Sequence, residues 1–417
     1  MKKAILSSLL LICSGFYAEA QIVNVSTATE LQNALNAATP GQTIVLAPGT
    51  YSRSGGFFVG PGIHGTAQNP ITVQGNGATI TSNNIGNGYG FALQGNNYWI
   101  LSDFKIWKSM KALVIDNSNH NVLSNINVSY IGQEGIHVRK FSSYNLVENC
   151  YVDSVGITSA AQGTAEAIYL GSSKNNWLSI TGNANTPDTC NYNTVTGCSF
   201  GDNVPSENID IKEGTTGGII TNNAFNGKGL NGINSGDSWV DVKGNNYKVD
   251  CNSGANTYNS TGDGIQTHIL YTGFGNYNSF ANNTFTLGSA GLGINVQTSG
   301  SQGSALNNIV CNTNSVTGGT GVSNANTQSC SASCISTSMK NADTKKSIDV
   351  YPNPASQSIQ INTNSAFTNY YIVDILGKVV TKGSVNKNNN IDISALENGL
   401  YFITESSTGL STKFIKQ

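Results

Sequence analysis

The chain has 417 residues and a formal net charge of −2 at pH 7. Only 11% of its residues are charged, against roughly 25% in ordinary globular proteins. Its 47 glycines and 56 asparagines suit tight turns and left-handed bends, which excludes a helical bundle; the absence of a basic field excludes nucleic acid as a partner.

Residues 1–20 read as a signal peptide. Lys2 and Lys3 precede an apolar run from Ala4 to Ile12, and Ala18-Glu19-Ala20 offers a small-x-small cleavage site, so the mature chain begins at Gln21. The apolar run is too short to span a bilayer, and no later segment reads as a membrane span. Cleavage removes Cys13 and leaves seven cysteines, so at least one thiol stays unpaired in an exported chain. Cys330 and Cys334 are close enough in sequence to suggest a small disulfide loop.

Thr27-Ala-Thr-Glu30 has the form of a capping box, and Leu31, Ala34, Leu35 and Ala38 follow at helical spacing. This short helix is expected to plug the end of a solenoid, with Thr43 to Tyr51 beginning its coils. Two phrases then alternate. One is Asn121-Val-Leu-Ser-Asn125-Ile-Asn-Val128, which returns with Asn149, Gly197, Asn222, Asn282 and Asn308 at the Asn125 position. The other is a short alternating strand: Ile136-His-Val-Arg139, Ile168-Tyr-Leu170, Ile209-Asp-Ile-Lys212, Val240-Asp-Val-Lys243, Ile265-Gln-Thr-His268 and Ile294-Asn-Val-Gln297. A repeat this short cannot bury its apolar face alone, so neighbours must stack. The expected fold is an all-β parallel β-helix over 21–330, with Ile136, Ile168, Ile209, Val240, Ile265 and Ile294 stacked inside. The repeated asparagines are expected both to turn a left-handed corner and to bond their amides to the rungs above and below. Cys150 and Cys198 share one repeat position, either as stacked small apolar residues or as a disulfide.

Aligned on the buried residues, one outward column reads Val114, His137, Tyr169, Asp210, Asp241, Gln266, Asn295. The next reads Asp116, Arg139, Gly171, Lys212, Lys243, His268, Gln297. Rungs lie roughly 4.8 Å apart, so Asp210 and Asp241 stack, with Lys212 and Lys243 beside them. Like charges face each other only if something compensates. The neighbouring column is one answer. A calcium ion held by Asp210, Asp241 and Glu213 is the other. Crowding of Lys212 against Lys243 is expected to lower a lysine pKa and so provide a base. Arg139 would clamp a carboxylate, with His268 beside it among the catalytic groups. His137, Gln266 and the flat faces of Tyr169 and Trp239 would hold a sugar. Glu134 and Glu166 fall at strand ends or corners.

Composition shifts after residue 330. Residues 331–346 read as a linker, and several strand-like runs over 347–417 suggest a small β-sandwich.

The helix, Pro40-to-Tyr51 and the Asn-rich coils together resemble the pectate-lyase-like right-handed β-helix superfamily. That resemblance implies the right-handed coil, and relatives that use lysine or arginine bases and acidic calcium ligands on this sheet. Tyr351-Pro-Asn-Pro-Ala355, Leu376-Gly-Lys-Val-Val380, Gly399-Leu-Tyr-Phe402 and Lys413-to-Gln417 resemble the C-terminal sorting domain of the type IX secretion system of Bacteroidetes. It implies engagement of that machinery and a secreted or cell-surface protein. The leading functional reading is a monomeric polysaccharide lyase that cleaves an acidic, uronate-containing glycan by calcium-assisted β-elimination with a lysine base. A β-helix glycoside hydrolase using paired aspartates, and a non-catalytic glycan-binding adhesin, are the alternatives.

Overall fold

In the computed structural model the chain divides into two compact units, Met1–Ala332 and Ser333–Gln417. The structure describes residues 21–258, 262–288, 290–330, 334, 348–363, 369–374, 378–385, 390–405 and 411–417. The expected signal peptide and, apart from Cys334, residues 331–346 of the expected linker lie outside the described residues.

The first unit is a coil of parallel strands. One face is a twelve-stranded sheet running from Ile22–Val25 to Thr327–Gln328. The face that carries the outward columns contains β1 (Lys105–Asp116), β2 (Ile136–Arg139), β3 (Ile168–Leu170), β4 (Ile209–Ile211), β5 (Ser238–Val242), β6 (Asp263–Thr267) and β7 (Leu292–Val296). Ile136, Ile168, Ile209, Val240, Ile265 and Ile294 pair in that order and are each 0% exposed. Burying each such side chain stabilises the coil by about 1.5–3 kcal/mol. The helix α1 (Ala28–Asn36) closes the N-terminal end with Leu31 and Leu35 buried. Its capping box is complete, with the Glu30 N–H donating to Thr27 Oγ1 at 3.2 Å and the Thr27 N–H to Glu30 Oε2 at 3.0 Å.

The two jobs expected of one asparagine are done by two adjacent residues. Asn125, Asn149, Asn222 and Asn282 turn the corner, with φ of 53, 53, 57 and 56°. The amide ladder stands one residue later and points inward. There the Asn223 N–H donates to Asn252 Oδ1 at 2.9 Å, the Asn252 N–H to Asn283 Oδ1 at 3.0 Å, and the Asn283 N–H to Asn314 Oδ1 at 3.0 Å. Each Nδ2 also donates to a carbonyl of the preceding rung. Asn308 leaves the corner column for a second ladder, where its Oδ1 accepts the Asn278 N–H at 2.9 Å.

A further corner carries Tyr98, His120, Tyr144 and Tyr192 at φ of 57 to 59°. Their rings stack at 4.9, 5.0 and 5.0 Å between centroids. Such backbone costs a bulky residue roughly 1–2 kcal/mol, which the ring contacts offset in part.

Cys150 and Cys198 are both free and buried, so the stacked apolar alternative holds, and Cys190 is free too. Cys330 pairs with Cys311 rather than with Cys334, tying the last coil. Cys251 and Cys334 are also disulfide-bonded.

The second unit has a three-stranded and a four-stranded antiparallel sheet. Ile359, Ile372, Ile391, Ile403 and Phe414 form its core.

Replacing Asn252 by Ala strands the Asn223 N–H and the Ile220 carbonyl among buried groups. The expected cost is about 3 kcal/mol, read as a lower denaturant midpoint at unchanged slope.

Candidate active site

The ladder runs His137, Tyr169, Asp210, Asp241, Gln266, Asn295 in register, and Arg139 pairs with Asp116. The face is not wet as strand alternation predicts. Tyr169 is 8% exposed, Asp210 1% and Asp241 3%. Chain inserted between rungs covers it. The segment after β3 forms the short helix α2 (Trp177–Thr181), whose Trp177 is buried and donates from Nε1 to the Ser172 carbonyl at 2.9 Å.

Burial decides the electrostatics. Asp210 Oδ2 meets Lys212 Nζ at 2.6 Å, and Asp210 Oδ1 meets Lys243 Nζ at 2.6 Å. Asp241 Oδ2 meets the same Lys243 Nζ at 2.7 Å, and Asp241 Oδ1 meets His268 Nδ1 at 2.7 Å. All four carboxylate oxygens are therefore engaged by side chains. The calcium site expected on this pair does not fit. Its third ligand, Glu213, is turned elsewhere and accepts the Lys174 N–H at 2.6 Å, which fastens the inserted segment. The acidic group that does gather is Glu166, Glu207 and Asp210, with oxygens within 4.8 Å of one another. Asp210 in that group already accepts from the Lys212 and Lys243 ammonium groups.

The lysines are not lowered. Burial works against the charge of Lys212, but Asp210 and Glu166 outweigh it and raise the pKa. Lys243 is raised in the same sense, burial being outweighed by Asp210 and Asp241, while Lys212 pushes the other way by less than either aspartate. The crowding argument fails because a carboxylate stands between the two ammonium groups. Burial likewise works to raise Asp241, but Lys243 and His268 hold it well below the usual carboxylate range.

A cleft of about 570 Å³ opens beside this cluster. Lys111, His137, Arg139, Glu166, Tyr169 and Lys212 line it, walled by Thr164, Asn175, Ser179 and Asn234 from the inserted segments. Lys111 Nζ bonds Glu134 Oε1 at 2.7 Å and faces His137 Nδ1 at 3.4 Å. His137 Nε2 donates to the Gly171 carbonyl at 3.1 Å, which leaves Nδ1 as the acceptor. Burial, then Lys111 and Arg139, push this histidine well below its ordinary pKa, so it is neutral. Arg139 donates from Nε and Nη2 to Asp116 at 2.6 and 3.2 Å, and from Nη2 to Tyr89 Oη at 3.3 Å. Lys212 Nζ lies 5.0 Å from the Tyr169 ring centroid.

Residues 17–165 match the family model of the Pel9A-like right-handed β-helix region, and residues 349–417 match that of a secretion system C-terminal sorting domain. An alginate lyase from Paenibacillus sp. str. FPU-7 is 32% identical, with 73% of this chain and 100% of that chain covered, at a TM-score of 0.62. The chain belongs to the Pel9A-like right-handed β-helix family. Pectate lyase Pel9A itself shares the fold at 16% identity and a TM-score of 0.53, with 76% of this chain and 83% of that one covered. A rhamnogalacturonan lyase does so at 13% and 0.51, over 70% and 78%. No curated protein matches. The sorting domain marks this family member for export, to the medium or the cell surface. No helix among the described residues is long and apolar enough to cross a membrane.

Within this β-helix the residues expected to share one groove are divided. His137, Arg139, Tyr169 and Lys212 line the cleft, whereas Gln266 and His268 line a separate hollow of about 330 Å³. Asp210, Asp241 and Lys243 lie buried on the rungs between. Trp239 offers no face to a sugar. It is 0% exposed in the core, stacked at 6.3 Å on Phe225 and edge-on at 5.1 Å to Phe285. Its burial breaks the alternation: Val240 beside it is the inward residue, so parity alone would set Trp239 outward with Asp241.

Sequence reasoning missed Lys111 and Glu207. Glu207 had a signal, because Glu134, Glu166 and Glu207 each stand two residues before the first isoleucine of an outward strand. The Gly135 N–H donates to the Glu166 carbonyl and the Ala167 N–H to the Glu207 carbonyl, so the three follow one another on successive rungs. Lys111 meets Glu134, while burial, then Asp210, push Glu166 up to about 8 and Glu207 well above its ordinary value. Lys111 had no signal, lying where β1 runs through a corner without a turn residue.

Trp239→Ala is expected to cost about 3–5 kcal/mol, read by chemical unfolding, rather than to weaken glycan binding in the folded fraction. Glu166 is raised from 4.5 to about 8, so the folded state holds its proton more tightly than the unfolded chain. Its contribution is complete below about pH 4.5 and is lost as pH rises through about 8. Melting curves of Glu166→Gln should lack that decline and exceed the wild type above it.

Proposed function

We propose that the protein is an exported lyase that cleaves an acidic, uronate-containing glycan such as alginate or pectate by β-elimination. The observation that carries this reading is one cleft in which Lys111, Arg139 and Lys212 converge beside Tyr169 and His137. The alginate lyase at 32% identity, covered over its whole length, supports the same chemistry.

Elimination needs a carboxylate held and neutralised, a base for the hydrogen beside it, and a proton for the departing oxygen. Lys111 and Arg139 supply the positive charge that receives the carboxylate and its enolate. Lys212, reaching the cleft from beside Asp210, is the base only in its neutral form, which Asp210 and Glu166 make scarce at neutral pH. Lys243 is excluded from that role by its enclosure between two aspartates. Burial raises the Tyr169 phenol well above its ordinary pKa, so it keeps its proton and serves the leaving oxygen. No step is routed through calcium. His268, across the buried cluster, binds rather than reacts.

Hydrolysis by Asp210 and Asp241 is the weaker reading. A general acid must hold a proton. Asp241 is kept ionised, and Asp210 accepts from two ammonium groups.

The test is incubation with alginate, pectate and glucuronan, following the ultraviolet absorbance of the unsaturated product. Absorbance should grow, and kcat/KM should rise from neutral to alkaline pH because Lys212 rests protonated. Lys212→Ala should lose about 10²- to 10⁴-fold in kcat. New reducing ends without absorbance would establish hydrolysis instead, and neither signal on any glycan would leave a binding protein.

A further inference from the structure

Two carboxylates on adjacent rungs make a ready bridge for a divalent cation. In this coil the bridge is already built from the chain. One Lys243 ammonium touches Asp210 Oδ1 at 2.6 Å and Asp241 Oδ2 at 2.7 Å. The outer oxygens are closed by Lys212 and by His268, at 2.6 and 2.7 Å. Lys243 is 5% exposed, less than any ammonium that merely decorates a surface. Two negative charges therefore meet two lysines and a histidine whose pKa Asp241 raises, burial opposing. A divalent cation added here would expel an ammonium from its only partners among the described residues and leave a surplus of buried positive charge.

We infer that Lys243 stands in the place of a divalent cation between Asp210 and Asp241, and that the site assembles and works with no calcium at that position. Lys243 is a positioning residue. It lines neither the cleft nor the hollow described above, but it fixes Asp210, and Asp210 fixes the Lys212 ammonium at the cleft wall. The activity arm of the test rests on the lyase reading above; the melting and binding arms do not.

The full-length exported protein, Lys243→Met and Lys243→Met/Asp241→Asn would be compared in chelator, calcium and magnesium. In the wild type, melting temperature and rate should be the same in chelator as in calcium, and calorimetry should find no calcium bound at the pair. Lys243→Met leaves the aspartates facing each other without their bridge. It should melt lower, lose about a hundredfold in kcat with little change in KM, and gain a calcium-binding event. Calcium should restore part of both losses. Magnesium should not, because it demands stricter geometry and gives up its waters reluctantly. Adding Asp241→Asn should remove the calcium response. A purely structural lysine would give a variant that calcium does not rescue, which would overturn the inference. So would a wild type that loses activity or melting temperature to chelator and regains it with calcium, or a calcium response that survives Asp241→Asn. Should Lys243→Met fail to fold, the wild-type comparison decides alone. Should no glycan be cleaved, the lyase reading fails while melting and calorimetry still judge this one.

Discussion

Parallel stacking at one rung per turn places like on like. A residue at one repeat position has the same position of the next coil directly above it, roughly 4.8 Å away, and a column inherits whatever that neighbour does to it. For isoleucine the result is a continuous core. For asparagine it is a chain of amides in which each Oδ1 accepts from the next rung and each Nδ2 reaches back to the last. For charged residues it is repulsion, and the chemistry of this coil follows from how that repulsion is removed.

Two devices remove it. Where two aspartates stack, one lysine is inserted between them and a second cation closes each outer edge. Where three glutamates follow one another, one is paired with Lys111, and burial raises Glu166 and Glu207 toward their neutral forms. Both devices depend on the segment after β3 lying over the face. Exposed to water, the same charges would be screened and weakly coupled. Under that cover they hold one another in fixed geometry, and the cleft wall receives a lysine whose position is set from beneath rather than by its own flexible stem.

The coil, its capping helix, its interior column and both outward columns were legible in the sequence, because period-two strands at a repeating interval leave few ways to bury their apolar face. The charged pairs were legible as neighbours, since register alone fixes them. What register could not supply was depth. Whether Asp210 faces water or lies under an inserted segment depends on chain outside the repeat, and so does how strongly the carboxylates hold the two lysines protonated against their burial. Trp239 was misplaced for a related reason. It precedes Val240 by one residue, so parity sets it outward beside Asp241, yet its ring packs on Phe225 and Phe285 in the core, which register does not encode. The pairing of Cys330 with Cys311 rather than Cys334 reflects the closing of the last coil, which sequence proximity does not encode.

The walls of the cleft and its floor answer to different constraints. Every floor residue belongs to a rung, and shifting it by one position would turn its column inside out. Thr164, Asn175, Ser179 and Asn234 belong to no rung. The segments that carry them begin and end on fixed strands but are free in length, and doubling such a loop costs only about 0.6 kcal/mol in closure entropy. The wall of the cleft is thus an adjustable fitting mounted on a rigid frame, open to insertion, deletion or grafting while the charge-bearing rungs beneath keep their order.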